Sequence, residues 1–315
     1  MSAAVDTAAP ADCDWPITNC YVDVWMLVLA YWGLDPIAGL GVTVAQDYEG
    51  DQFTFFKYQH DELELLYGIV VGELSIYRSL EAQIEEQTNL GRLVLVEADG
   101  YYLPDTRATS YRAQHTKTTI AVDTIDPAHG RLSYFHNIGH YYLDGEDYAG
   151  VFRKLSHQKP ADTALPPYVE FVKRRFPPLT GVALADMAMP LLHRHLQCRP
   201  TDNPIRRYRE DFPRHMDWLL ARPETFHDYA FNTFRQLGAN HELLARHLDW
   251  MQTVCGIDLA DISRTARTVS SIAKAMQFKV ARIAARGRFD PCTAMFETLE
   301  QTYETMMSNL ERALP

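Results

Sequence analysis

Cys20 and His115 are the two side chains in this 315-residue sequence whose contexts suit covalent chemistry. The cysteine stands in Trp15-Pro16-Ile17-Thr18-Asn19-Cys20-Tyr21-Val22-Asp23-Val24-Trp25. Asn19 is a strong N-cap residue, and the apolar run from Tyr21 to Trp32 closes at Gly33. The spacing therefore predicts a helix with Cys20 in its first turn. Unpaired backbone N–H groups and the helix dipole there favour a thiolate, the form in which cysteine attacks. His115 directly precedes Thr116 to Ile125, a stretch that reads as a strand. An imidazole so placed is the base that a cysteine nucleophile needs, with a third polar group to hold the ring.

Several residues compete for that third place. Asn137, ending the strand Ser133-Tyr134-Phe135-His136-Asn137, ranks first, and Asp99, ending Leu93 to Ala98, ranks second. Asp123 lies eight residues along the histidine's own strand, roughly 26 Å at strand rise, which disfavours it and Asp126 alike. The backbone N–H of Cys20 and the side chain of Asn19 are expected to hold an oxyanion. Asp51 and Gln52, in the acidic flank Glu49-Gly50-Asp51-Gln52, are expected to line a cleft for an amine-bearing substrate. The pairs His136/His140 and His193/His195 lack a carboxylate cluster at helical spacing, so no metal site is expected. Gly39-Leu40-Gly41 has no phosphate-loop lysine and reads as a turn.

These side chains must be positioned by mixed elements in the first half. Asp61 to Tyr67 and Leu80 to Thr88 read as helices, and Val42-Thr43-Val44 and Phe53-Thr54-Phe55-Phe56 as extended. Leu93 to Ala98, between Gly91 and Gly100, reads as a buried strand. Thr118 to Ile125 and Arg131 to Phe135 flank the turn Asp126-Pro127-Ala128-His129-Gly130 and predict a hairpin. From about residue 169 helical spacing dominates, including Ile272 to Arg286 and Thr293 to Leu314. The expected organisation is a flexible tail (1–15), a catalytic domain (16–155), a linker (156–168) and an all-helical domain (169–315). That is an α+β arrangement, and the order of helix-borne cysteine then strand-borne histidine is papain-like.

The net charge of −11 is unevenly distributed. Residues 1–150 carry 7 basic and 23 acidic side chains, whereas residues 151–315 carry 23 and 18. An acidic first half argues against nucleic-acid binding by that half. The basic clusters Lys173-Arg174-Arg175, Arg206-Arg207-Arg209 and Arg282-Arg286-Arg288 are either solvated helix faces or a docking patch for an acidic macromolecule or a phosphate. The five cysteines (13, 20, 198, 255 and 292) include no C-x-x-C pair, so neither a disulfide framework nor a zinc–cysteine site is expected. A reducing, cytoplasmic location fits, and no apolar run approaches membrane-helix length.

The segments Asn19-Cys20-Tyr21 with Asp23 and Trp25, Glu49 to Lys57, Tyr101-Tyr102-Leu103-Pro104-Asp105-Thr106 and Tyr134-Phe135-His136-Asn137 resemble an uncharacterised bacterial family, domain-of-unknown-function family 1839. The likeness is strongest over residues 16–155. Leu93 to Pro104, with His115 and its hairpin, is also similar to the butirosin-biosynthesis H-protein family of papain-like acyltransferases. That second resemblance implies Cys20 as nucleophile and His115 as base. Where those enzymes place an aspartate after the second hairpin strand, this sequence has His136-Asn137. The first family's association with aminoacyl carrier proteins implies an aminoacyl cargo.

The resulting expectation is a cysteine-dependent acyl or aminoacyl transferase. It would take its group from the phosphopantetheine thioester of an acidic carrier protein to an amine acceptor, with no cofactor of its own and no nucleic-acid or membrane partner. A papain-like hydrolase (thioesterase, amidase or peptidase) and a non-catalytic binding protein of the same fold are the alternatives.

Overall fold

The computed structural model describes residues 15–159 and 164–314. The expected tail, apart from Trp15, and residues 160–163 of the expected linker lie outside these residues. The chain divides into two compact units. The first holds the described residues up to Pro36 together with His60–Leu179, and the second holds Ile37–Gln59 with the described residues from Thr180 onward.

In the first unit, α1 (Cys20–Tyr31), α2 (His60–Tyr67) and β1 (Ile69–Glu73) are followed by α3 (Leu80–Asn89) and β2 (Leu93–Asp99). Then come β3 (Lys117–Asp126), β4 (Arg131–His136), β5 (Gly139–Asp144), α4 (Gly145–Val151) and β6 (Val169–Arg174). The strands form one sheet in the order β1-β6-β2-β3-β4-β5, with every neighbouring pair antiparallel. Strand alternation separates its two faces. Val94, Val96, Ala98, Ile120, Val122, Leu132 and Tyr134 build the main core with Ile84 of α3. The opposite face presents Glu97, Thr119, Phe135 and Glu170, and against it α1 packs. Residues Tyr21 to Leu29 of α1 are all buried, and all but Asp23 and the Tyr21 hydroxyl are apolar.

β6 corrects the expected boundary. The sequence places residues 169–174 with the helical domain, yet they insert between β1 and β2. Such a short strand is decided by partners about 75 and 100 residues earlier, which no local spacing displays. Two further expectations change. Val42-Thr43-Val44 lies within a 3-10 helix, Pro36–Ala45, and the 53–56 strand reduces to one bridge between Tyr48 and Phe53.

The second unit is helical: α5 (Gly181–Gln197), α6 (Pro204–Leu220), α7 (Phe226–Ala230), α8 (Gln236–Cys255), α9 (Ala260–Arg286) and α10 (Thr293–Ala313). Tyr208, Phe212, Phe234 and Phe296 fill its core with tilted and edge-on ring contacts. Phe53 joins them, its ring 5.2 Å from that of Tyr208, and its N–H donates to the carbonyl of Asn232. The 37–59 segment therefore belongs with the helices. Of the basic clusters, Arg206 pairs with Glu300 and Glu304, Arg207 with Asp47, and Arg209 with Glu297 and Glu300. These arginines tie elements of the unit together and do not form a bare docking face. Among the described residues no helix is long and apolar enough to cross a membrane.

Candidate active site

Cys20 is the first residue of α1, and the local sequence explains why the helix starts there. Asn19 is extended, and its side-chain oxygen accepts from the N–H of Val22 at 3.0 Å. Asp23, fully buried, reaches back to accept from the N–H of Thr18 at 2.9 Å and from its hydroxyl at 2.7 Å. The two caps lock residues 18–23 reciprocally. Asn19 is 1% exposed and serves as the N-cap, which corrects its expected role in binding substrate.

The half-buried Cys20 thiol donates to the hydroxyl of Thr119 on β3 at 3.8 Å, its one hydrogen bond among the described residues. Thr119 lies opposite Glu97 of β2, and Asp99 lies opposite Lys117. Lys117 pairs with Glu97 at 2.8 Å. One step further along the same edge, His115 Nδ1 donates to Asp99 Oδ2 at 2.6 Å. The imidazole stacks on Tyr101, with ring centres 4.4 Å apart, and its side chain is 67% exposed. Asp99 uses its other oxygen to accept from the N–H of Tyr101 at 3.0 Å. A carboxylate thus holds an exposed imidazole through Nδ1, an arrangement that a general base can use. His115 and Thr119 are four residues apart, at most about 13 Å of backbone.

Asn137, expected to orient His115, does not. It sits at a left-handed turn (φ 50°) with its amide 3.2 Å from His136. Asp99 holds that place because the β2–β3 ladder brings the two strand ends together. His136 belongs to the opposite face of the sheet. Its Nδ1 donates to Asp105 at 2.5 Å, the Thr118 hydroxyl lies 2.7 Å from Nε2, and Tyr134 donates to the other Asp105 oxygen at 2.6 Å. This Thr–His–Asp chain has nucleophile-site connectivity, but the His136 and Asp105 side chains are 2% exposed, so it braces the core. Asp51 and Gln52 fall in the second unit, where Gln52 closes a turn by accepting from the N–H of Glu49.

Sequence reasoning missed a second polar group beside Cys20. Tyr21 and Tyr168 both donate to the buried Glu170 of β6, at 2.9 and 3.0 Å. His60 Nε2 lies 2.9 Å from the Tyr21 hydroxyl. Burial and then Glu170 push the Tyr21 hydroxyl well above its ordinary range, and the same two causes push Tyr168 up to about 12. Both phenols therefore stay protonated as donors. The available signal was Glu170 itself, an acid inside Val169-Glu170-Phe171-Val172, where an apolar residue would satisfy a buried strand.

The DUF1839 N-terminal domain matches residues 6–174 and the DUF1839 C-terminal domain matches residues 181–312. The chain belongs to the DUF1839 family. No curated protein matches it. The DUF1839 N-terminal domain ends with β6 at Arg174, so it includes the strand that completes the sheet and both Cys20 and His115. It also spans residues 37–59, which pack with the helices of the C-terminal domain.

Proposed function

We propose that this DUF1839 protein is a cysteine-dependent acyl or aminoacyl transferase of papain-like kind. The observation that carries the reading is that Cys20, the first residue of α1, rests on Thr119 of β3, the strand that His115, held by Asp99, precedes. In this reading His115 takes the Cys20 proton, and the resulting thiolate attacks the carbonyl of a carrier-protein phosphopantetheine thioester. The backbone N–H of Cys20, which has no intrahelical acceptor, receives the oxyanion. The donor C–S bond breaks, the carrier thiol leaves with a proton from His115, and the acyl group remains on Cys20. An acceptor amine then attacks, His115 removes its proton, and the Cys20 thiolate is released. Catalytic contacts commonly tighten only once substrate is bound, which suits a thiol that rests on Thr119 in the free protein.

Hydrolysis is the second reading. The 67% exposed His115 side chain admits water as readily as an amine, and a thioesterase or amidase would differ only in the acceptor. Intact-protein mass spectrometry after mixing with acyl- and aminoacyl-loaded carrier proteins tests both. An acyl adduct that maps to Cys20, disappears in Cys20→Ala and clears on adding amines supports transfer. Clearance at the same rate without an amine supports hydrolysis. No adduct with any cargo, and an inert Cys20, would indicate a binding protein.

A further inference from the structure

The second unit contains a hollow lined by three arginines that have no carboxylate partner among the described residues. Helix α9 places Lys279, Arg282 and Arg286 along one face at helical spacing. Gly287, at φ +61°, ends the helix in the left-handed conformation, and the chain turns so that Arg288, Phe289 and Asp290 line the same hollow. Its volume is about 480 Å³, within the usual range of small-ligand sites.

Of the carboxylates, only Asp290 lines this hollow. It accepts from Lys279 at 2.5 Å and from the N–H of Cys292 at 2.9 Å, and the Lys279 contact foremost holds its carboxyl below the usual range. Arg282, Arg286 and Arg288 have no carboxylate partner among the described residues. Elsewhere in this unit Arg199, Arg206, Arg207, Arg209, Arg246 and Arg267 are each paired. A cation in the last turn complements the dipole of α9, and Arg286 supplies it. That accounts neither for Arg288 beyond the helix nor for Arg282 a turn earlier. Phe289, 41% exposed, adds an apolar wall beside the three guanidinium groups.

We propose that this hollow binds a small diphosphate-bearing molecule, with Arg282, Arg286 and Arg288 on its phosphate oxygens and Phe289 against an aromatic or apolar portion. Guanidinium forks match phosphate oxygens bidentately, and three of them suit two adjacent phosphate groups. The hollow's volume of about 480 Å³ is that of a small-ligand site, so a small ligand fits better than a long polyanion. The site is independent of Cys20.

Isothermal titration of the full chain with inorganic pyrophosphate and with ADP tests the proposal. Saturable binding of both is expected, tighter for ADP because of Phe289, and weakening as salt rises past about 0.15 M. Arg282→Ala and Arg286→Ala should each weaken binding by about tenfold or more, the order of a lost charge-assisted hydrogen bond. Both arginines are exposed, so Arg282→Ala should melt with the parent and Arg286→Ala only slightly below it, having lost a helix-end charge. Cys20→Ala should bind normally. Absence of saturable pyrophosphate binding, or equal binding by an Arg282→Ala/Arg286→Ala protein, would overturn the site. So would an oligonucleotide that binds more tightly than ADP and is not displaced by pyrophosphate.

Discussion

The carboxylate of Asp99 lies 2.6 Å from His115 Nδ1, although 16 residues separate them in the chain. Asp99 ends β2 opposite Lys117, and the N–H of Gly100 donates to the carbonyl of Thr116 at 2.8 Å, which folds His115 back over the strand end. A Cβ at Gly100 would come within 2.8 Å of both the Ser110 and Thr116 hydroxyls, so any larger residue there would displace them.

If Asp99 holds the working imidazole, Asp99→Asn should slow acyl transfer through Cys20 by about a hundredfold, within the range for disrupting a positioned base. Asn137→Gly should leave the rate unchanged, because Asn137 occupies a left-handed turn beside His136 and glycine tolerates that conformation. Single-turnover mass spectrometry reads both. Equal loss in the two variants would contradict the assignment.

Cys20 should be alkylated faster than Cys198, although Cys198 is the more exposed. Cys20 opens α1, where backbone N–H groups face an anion, whereas Cys198 is the C-cap of α5, where carbonyls do. Cys255 and Cys292 should lag further, since burial raises both thiols, Cys292 to about 11. Peptide mapping after brief iodoacetamide exposure gives the order, and protection of Cys20 in the folded protein would remove it as nucleophile.

Asp105→Ala should cost roughly 3–5 kcal/mol, because it leaves His136 and the Tyr134 hydroxyl buried without their acceptor. Urea unfolding measures this. A loss under about 1 kcal/mol would show that the Thr118–His136–Asp105 chain does not brace the core.

Acid should destabilise the helical unit through His241. Burial lowers this imidazole to about 4, with its Nδ1 held by the Leu237 carbonyl at 2.8 Å. The unfolded imidazole gains its proton near 6.5. Between these values the unfolded chain binds more protons, so stability falls as pH drops from about 6.5 towards 4, by at most roughly 3 kcal/mol. His215 acts in the same direction, lowered by burial and then by Arg214. Melting temperature against pH should therefore slope less steeply in His241→Gln than in the parent. An identical slope would refute the attribution.

Much of the first unit was legible because its signals are local. The Asn19 cap, the apolar run after Cys20 and the Gly33 stop delimit α1 to within a residue, and the 126–130 turn places the β3–β4 hairpin. Glu97 and Lys117, by contrast, meet only through the β2–β3 register, and nothing in either segment alone announces the pair. The Arg206 to Arg209 cluster looked available for docking because its carboxylate partners lie at residue 47 and beyond residue 296.

By itself the sequence determined the helix that begins at Cys20, the strand that follows His115, and the division into a mixed half and a helical half. Capping, turn chemistry and hydrophobic period act within a few residues, so they can be read in order along the chain. Only the tertiary structure chose Asp99 over Asn137, drew β6 into the sheet with Glu170 beside Tyr21, and sent residues 37–59 to the helices. Each of those outcomes depends on which distant backbone supplies the missing hydrogen bonds and burial, and that competition is settled only when the whole chain packs.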